Sequence, residues 1–391
     1  MTEERNKPSL LFWGLMGYDR PSTRIRCVNF ADQLKTRGYE CECVLYRDKY
    51  GRQFGHEQML HLGDRHKLQI TRRAYREFKS RKNEIIYMQK AHWHSLAPHL
   101  LHRRRGIKII FDYDDWDLDR SPFLNHDLLN DHYFGSRDET VITWKLVDES
   151  VACVAANKEL DRLLRLRHPR VYYIPTGPDT GKFSMTDEQR FARAEQDKTI
   201  FVWGGNVWGG VMLGNVVFLL NCFSKVYEAN RDVVFRLLAW GTYGEAVKAL
   251  VSTTYRHLPI EFRHFIHPDA MPAYLAKTHV GLLPLQGDDM NVSWLKSKSP
   301  TKQFEYMAME MATVATPLGD VPYIVKDGVN GLFASTEQEF VARMLQLAGD
   351  RALRERLGQQ ARKTIMKDYC LDRLGDKLDA MFIELGRDGL I

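Results

Sequence analysis

The sequence predicts an α/β protein of two domains, each built on a parallel sheet. Two observations lead there. A chain of 391 residues is too long for one ordinary core. Short apolar runs alternate with glycine-bearing loops and amphipathic segments, the pattern of strand–helix–strand units. That alternation occurs twice, on either side of the polar stretch Asp187 to Lys198, DEQRFARAEQDK, which reads as a linker.

Ser9 to Gly14 is an apolar strand running into Gly14-Leu15-Met16-Gly17 and then Tyr18-Asp19-Arg20-Pro21-Ser22-Thr23. A helix follows to about Arg37, with Ile25, Val28, Ala31 and Leu34 marking its buried face, and Gly38 ends it. Cys41 to Tyr46 is the next strand. GLMG lacks the third glycine of the dinucleotide fingerprint, so that reading is the weaker one. The helix start offers the Ser22 and Thr23 hydroxyls, with Arg20, Arg24 and Arg26 nearby for either solubility or anion contact.

Glu84 to Met88 and Ile107 to Phe111 are strands flanking a helix near 95–105. Gln89, Lys90, His92 and His94 follow the first; Asp112, Asp114, Asp115 and Asp117 follow the second. Ligands of parallel sheets lie beyond the carboxyl ends of the strands, so both clusters point at one crevice. The aspartates fit ligand orientation, compensation of positive charge, or a capped solvated loop. His92 and His94 straddle Trp93 and suit ligand contact or packing equally. Val151 to Ala155 and Val171 to Ile174 complete a first domain taken as residues 1–185.

The second domain, 199–370, opens with the strand Thr199 to Trp203 and the loop Gly204-Gly205-Asn206, then Gly209-Gly210. Val234 to Trp240 precedes Gly241-Thr242-Tyr243-Gly244; Glu261 to Ile266, with His267 just beyond, and Val280 to Leu283 continue the alternation. The most informative stretch is Ser299 to Gly331, SPTKQFEYMAMEMATVATPLGDVPYIVKDGVNG. Pro300 stands where a helix begins. Gln303 to Met311 puts Phe304, Met307, Ala308 and Met311 on one face, and Thr313 to Thr316 suits a buried strand. Asp327-Gly328 and Asn330-Gly331 are turn dipeptides. A helix N-terminus preceded by Ser297, Ser299 and Thr301, with Lys298 and Lys302 beside it, is a ready anion site. Glu310 reads as a surface helix carboxylate.

These residues resemble the donor-binding segment of retaining nucleotide-sugar glycosyltransferases of the GT-B fold, family four. The family pattern "K-x-x-E-x-M-A" stands here as Lys302, Glu305 and Met307-Ala308. Its following strand and turn stand as Val314-Ala315-Thr316, Gly319, Ile324-Val325 and Asp327 to Gly331. Tyr172 to Asp179 with Phe183, and Asp269 to Leu285, extend the likeness to about half the chain.

The resemblance implies two Rossmann-like domains facing across a cleft, with the helix Leu371 to Leu385 returning to the first. It implies a donor, a UDP- or GDP-sugar, at Gly204, Gly205, Asn206, Gly241, His267, Ser297, Lys298, Ser299 and Thr301. Lys302 and Glu305 are the expected catalytic pair, for the diphosphate and the ribose. Gly17, Ser22, Thr23, Arg24, His92, Asp112, Asp114 and Asp115 are expected on the first domain's side of the cleft. The acceptor is a carbohydrate, a lipid-linked molecule or a protein. No cofactor and no metal are implied, although Asp112-Tyr113-Asp114-Asp115 also resembles the metal-binding "D-x-D" of the other glycosyltransferase fold. The chain departs from the pattern twice. The family's first carboxylate, which holds donor-sugar hydroxyls, is Ser297 here, and the loop GGNVWGG lacks the family's phosphate-gripping arginine and lysine. A catalytically inactive binding subunit and a nucleotide-sugar epimerase are the rival readings.

Composition narrows the setting. Hydrophobic residues are 44% and charged residues 27%, ordinary for a globular chain. No run of eighteen apolar residues and no apolar leader stand out, and six scattered cysteines form no CxxC pair, so a cytoplasmic location is expected. The net charge is +6, and residues 1–185 carry 32 Lys and Arg against 25 Asp and Glu, an excess of 7. The excess clusters at Arg65, Lys67, Arg72, Arg73, Arg76, Lys79, Arg81, Lys82 and Arg103 to Arg105. That cluster is either a solvated face or an attraction to an anionic acceptor or to the inner membrane face. Few interleaved aromatic residues argue against nucleic acid.

Overall fold

The computed structural model describes residues 7–81, 84–116, 128–136, 139–287 and 292–391. Lys82 of the basic cluster and Asp117 lie outside them. The chain forms two compact units: residues 1–176 with 297–299 and 371–391, and residues 177–296 with 300–370.

The first unit holds six parallel strands: β1 (Ser9–Gly14), β2 (Glu40–Leu45), β3 (Glu84–Gln89), β4 (Lys108–Tyr113), β5 (Ala152–Ala155) and β6 (Val171–Tyr173). Their order is β2-β1-β3-β4-β5-β6. Alternate residues feed two faces, so Leu11 and Trp13 join one core cluster while Leu10 and Phe12 join the other. The helix Leu371–Arg387 covers the second face with Leu374, Leu378, Met381, Phe382 and Leu385. Arg37 ties that helix down through Asp372 at 2.8 Å and Asp376 at 2.7 Å.

The first helix differs from the simple amphipathic segment expected. Pro21–Thr23 and Phe30–Lys35 are α-helical, but Arg24–Asn29 between them is π-helical. The wider turn buries Thr23, Arg24, Ile25, Arg26 and Cys27 in succession. A π-turn is a common way of turning an extra side chain toward a site. Gly38 ends the helix at φ +85, as its position suggested.

The second unit is also parallel: β7 (Thr199–Asn206), β8 (Val233–Trp240), β9 (Ile260–Arg263), β10 (Val280–Leu283), β11 (Ala312–Ala315) and β12 (Leu332–Phe333). Their order is β12-β11-β10-β7-β8-β9, so the winding reverses between β7 and β10. That is the doubly wound order, and the reversal is the place where such sheets bind ligands. The helix Gly210–Ala229 is long and apolar enough to cross a membrane by composition, yet Val216, Leu219, Leu220, Phe223 and Val226 are buried within the unit.

The expected linker is a correction. Asp187–Ala194 is a helix, opened by a capping box in which the Thr186 hydroxyl accepts from the Gln189 N–H. It belongs to the second unit, which starts at Gly177. A polar composition marked it as solvent-facing but concealed the cap. Ser297 to Ser299, in turn, pack with the first unit.

Candidate active site

In the second unit the helix Thr301–Ala308 is pinned by its buried side. Tyr306 is buried, and its hydroxyl hydrogen-bonds the Gly204 backbone. Its ring lies over β10 at Gly281, where an added Cβ would come within 2.2 Å. Gly281 is therefore a glycine because Tyr306 occupies its side-chain space. Gln303 donates to the Thr313 hydroxyl at 2.8 Å, and Phe304 packs on Tyr369 with ring centroids 5.2 Å apart.

One turn from Tyr306 on the same face stands Lys302. Its chain crosses Gly205, where an added Cβ would lie 3.1 Å from Lys302 Cε, and its ammonium is 5.5 Å from the Trp203 ring centroid. Gly205 is the next-to-last residue of β7, at the reversal of the sheet. The ammonium thus supplies at that point the positive charge that the loop Gly204 to Gly210 lacks. Asn206 follows, its Oδ1 buried without a hydrogen-bond partner. Gly241 sits against it at φ +89, where a Cβ would be 1.9 Å from that oxygen. Glu305 and Thr301 are partly exposed. His267 is exposed and caps a short turn by accepting from the Asp269 N–H at 3.4 Å.

The helix ends at a tightly bound cap. Glu310 is not the surface helix carboxylate expected: it lies beyond the helix in the left-handed region, φ +53. A side chain there costs about 1 kcal/mol relative to glycine. Its carboxylate takes both arms of Arg190, at 2.6 and 2.9 Å, which offsets that cost and holds its pKa below the usual range.

In the first unit the polar groups gather at the ends of β1, β3 and β4, again at a reversal of strand order. Gln89 is the hub, buried at the end of β3. Its Oε1 accepts from the Thr23 hydroxyl at 3.1 Å, and its amide donates to Asp114 at 3.0 Å. Lys90 reaches Asp115 at 3.4 Å and Asp114 at 3.8 Å. Lys298 and Lys90 hold the Asp115 carboxyl below its ordinary pKa, against burial. In the same segment the Ser297 carbonyl accepts from the Asn157 amide, and the Ser299 hydroxyl lies 3.4 Å from the Ala156 carbonyl. Ser297 is fully buried. Arg24 is 9% exposed and reaches the Tyr18 carbonyl at 3.4 Å; Ser22 is partly exposed.

Several candidates take structural places. Asp112 is fully buried and receives Arg26 through three N–H···O contacts of 3.1, 2.9 and 2.8 Å. Burial pushes its carboxyl up to about 6 against the pull of Arg26. Neither residue faces solvent or an anion, which corrects the cleft role for Asp112 and both expected roles for Arg26. Gly17 is small because Asp48 needs the space: a Cβ would lie 2.2 Å from Asp48 Oδ1, and the Asp48 carboxylate accepts from the Tyr18 N–H at 2.9 Å. His94 is fully buried, 3.0 Å from the Gln89 carbonyl, and burial drives its pKa down to about 3. His92 is also buried.

Sequence reading did not single out Gln89 as the hub, the pairing of Arg26 with Asp112, or Asn157, Trp203 and Tyr306. Tyr306 left one signal, its spacing of four from Lys302. Among the described residues no group of three His, Cys, Asp or Glu side chains is arranged to hold a metal.

Comparison with known proteins bears on the fold and on the second unit. Residues 199–350 match the family model described as Glycosyl transferases group 1. No curated protein matches the chain. Among solved structures, sucrose-phosphate synthase from Thermosynechococcus elongatus aligns over 97% of this chain and 100% of its own, with TM-score 0.71 at 11% identity. A glycosyltransferase from Rickettsia africae aligns over 98% and 100%, with TM-score 0.67 at 12% identity. The Anabaena protein HepE, in complex with UDP and glucose, aligns over 97% and 100%, with TM-score 0.65 at 12% identity. Residues 199–350 thus match the glycosyl transferases group 1 model, within a two-domain α/β chain that has the GT-B fold.

Proposed function

We propose that this protein is a retaining glycosyltransferase that moves a sugar from a UDP- or GDP-sugar to a carbohydrate, lipid-linked or protein acceptor without a metal or other cofactor. The observation that carries the reading is Lys302 lying over Gly205 where the second sheet reverses. An ammonium and the adjoining helix N-terminus suit the charge that gathers on a departing nucleoside diphosphate. Glu305, on the next turn, suits the ribose diol as a two-oxygen acceptor. In the transfer, the bond from the anomeric carbon to the diphosphate oxygen breaks and the acceptor oxygen bonds to that carbon on the same face. The acceptor proton passes to the departing phosphate oxygen. The polar cluster around Gln89, Asp114 and Asp115 suits the first unit to binding a hydroxyl-bearing acceptor. The exposed Arg65, Arg72, Arg76, Lys79 and Arg103 to Arg105 suit attachment to an anionic membrane surface in the cytoplasm. Lys67 of that cluster is buried and takes no part.

The test is a panel of UDP-, GDP-, ADP- and TDP-sugars read first by thermal shift, since binding to the folded state alone raises the melting temperature. Transfer is then assayed with the donor that binds, with and without EDTA. Lys302→Ala should weaken nucleoside diphosphate binding by about 1.5–3 kcal/mol, roughly 10- to 100-fold. Undiminished affinity in that variant sinks the diphosphate role, and metal-rescued loss in EDTA sinks metal independence. An inactive binding subunit is the second reading, favoured by the buried Ser297 at the place of the family's first carboxylate. It predicts donor binding with no turnover on any acceptor.

A further inference from the structure

The helix Asp187–Ala194 buries none of its residues and leaves Phe191 68% exposed. A helix without an apolar face needs another reason to stay in place. Its arginines supply one. Arg193 donates to the Met309 carbonyl at 2.9 Å and to the Glu310 carbonyl at 3.0 Å, while Arg190 grips the Glu310 carboxylate. From another helix, Arg351–Thr364, Arg362 donates to the Ala308 carbonyl at 2.8 Å. All these bonds converge on the carboxyl end of one helix, Thr301–Ala308, whose amino end carries Lys302.

The remaining backbone groups at that end are also taken. The Met311 N–H bonds the Tyr306 carbonyl at 3.1 Å and the Glu310 N–H bonds the Met307 carbonyl at 3.2 Å, a Schellman closure. Gly358 packs so close that an added Cβ would stand 2.2 Å from the Glu310 carbonyl oxygen. An ordinary surface helix needs only the closure. Here two guanidinium groups take three further carbonyls, and cations at a helix C-terminus are electrostatically favoured. The helix is thereby fixed along its own axis as well as against the sheet.

We propose that Arg193 and Arg362 are positioning residues for the transfer reaction. They clamp the carboxyl end of the helix Thr301–Ala308 so that Lys302 and Glu305 meet the donor at fixed depth. This rests on the donor role of that helix. The helix Asp187–Ala194 is on this account a strap whose purpose is to deliver Arg193. Reacting groups displaced by about 1 Å lose on the order of 100-fold in rate, so an axial anchor on an eight-residue helix has functional weight.

A double-mutant cycle separates positioning from general stability. Nucleoside diphosphate affinity is measured by calorimetry well below the melting temperature, for wild type, Arg193→Ala, Lys302→Ala and the pair. Arg193→Ala should weaken binding about 10-fold alone but by no more than about 2-fold when Lys302 is already absent. Arg193→Lys should recover little, because one ammonium cannot match the planar fork on two carbonyls. Independent effects in the cycle, or unchanged affinity in Arg193→Ala, overturn the proposal. Hydrogen exchange gives a second readout. Amides of residues 303–308 should exchange about 10-fold faster in Arg193→Ala while those of Gly210–Ala229 stay unchanged. Unaltered exchange at 303–308 refutes the clamp. If wild type binds no nucleoside diphosphate, the donor reading fails by itself, and exchange still decides whether the clamp exists. Arg193→Gln replaces the alanine variant should that one fail to fold.

Discussion

Asp112→Ala separates a structural aspartate from a substrate-facing one. In the native protein Arg26 and Asp112 are both fully buried, and three N–H···O contacts of 2.8 to 3.1 Å join them. Truncating Asp112 leaves a guanidinium in the core with the Ile174 carbonyl, at 2.6 Å, as its remaining strong acceptor. Stranding one member of a buried pair costs about 3–5 kcal/mol. For a unit of about 200 residues, each kcal/mol moves the melting temperature by roughly 2–4 °C, so a drop on the order of 10 °C is expected. Differential scanning calorimetry measures it, with the first unit's transition falling and the second's staying put. The double change Arg26→Met with Asp112→Leu should recover most of the loss, because a buried pair exchanged for well-packed apolar groups is close to neutral. A single variant that melts within about 2 °C of wild type yet loses transfer activity would refute the reasoning and return Asp112 to the acceptor site.

Two further outcomes follow from the same geometry. Glu305→Ala should leave the fold intact and cost roughly 2–4 kcal/mol of transition-state stabilisation through lost charged hydrogen bonds; unchanged kcat/KM in the folded variant removes it from the site. Acid should weaken both units. His279, whose ring lies 3.0 Å from the Ile200 N–H and 2.9 Å from the Arg193 carbonyl, is lowered by burial to about 4. His94 in the first unit is lowered to about 3. A histidine with a depressed folded pKa gives stability that is whole above its unfolded pKa of about 6.5 and is lost as pH falls, about 2 kcal/mol each by pH 5. Asp112 works in the opposite sense, since its folded pKa near 6 lies above the unfolded value. Its protonation offsets part of the first unit's loss over the same window. Urea titrations at pH 7.5 and 5 should show a loss in both units, and unchanged stability in either would contradict the assignment.

The sheets were legible because a buried strand must be written in apolar residues, and SLLFWG, EIIYMQ and VVFRLLAW carry that mark locally. So did the helix that bears Lys302, because its face repeats at three and four and its start is fixed by Pro300. What stayed hidden depends on partners distant in sequence. Arg26 looks like any helix arginine until β4 brings Asp112, 86 residues later, against it. Gly17 looks like a loop that admits a phosphate until Asp48 fills the space, and Gly281 has no local reason to be glycine until Tyr306 lies across it.

The segment Asp187–Ala194 shows the limit most clearly. Its charge was read as detachment, on the premise that only apolar residues hold a helix to a protein. Two of its arginines instead make bonds to groups 116 to 120 residues away, on the Met309 carbonyl and on an unusual left-handed glutamate at the end of the helix Thr301–Ala308. A glutamate is tolerable in that backbone conformation because Arg190 is there to receive its carboxylate. Arg190 is in reach because the strap is folded, and the strap is held because the carbonyls beside Glu310 need donors. Each residue is explicable only with the others in place, so no window of the sequence containing one of them could have revealed the arrangement.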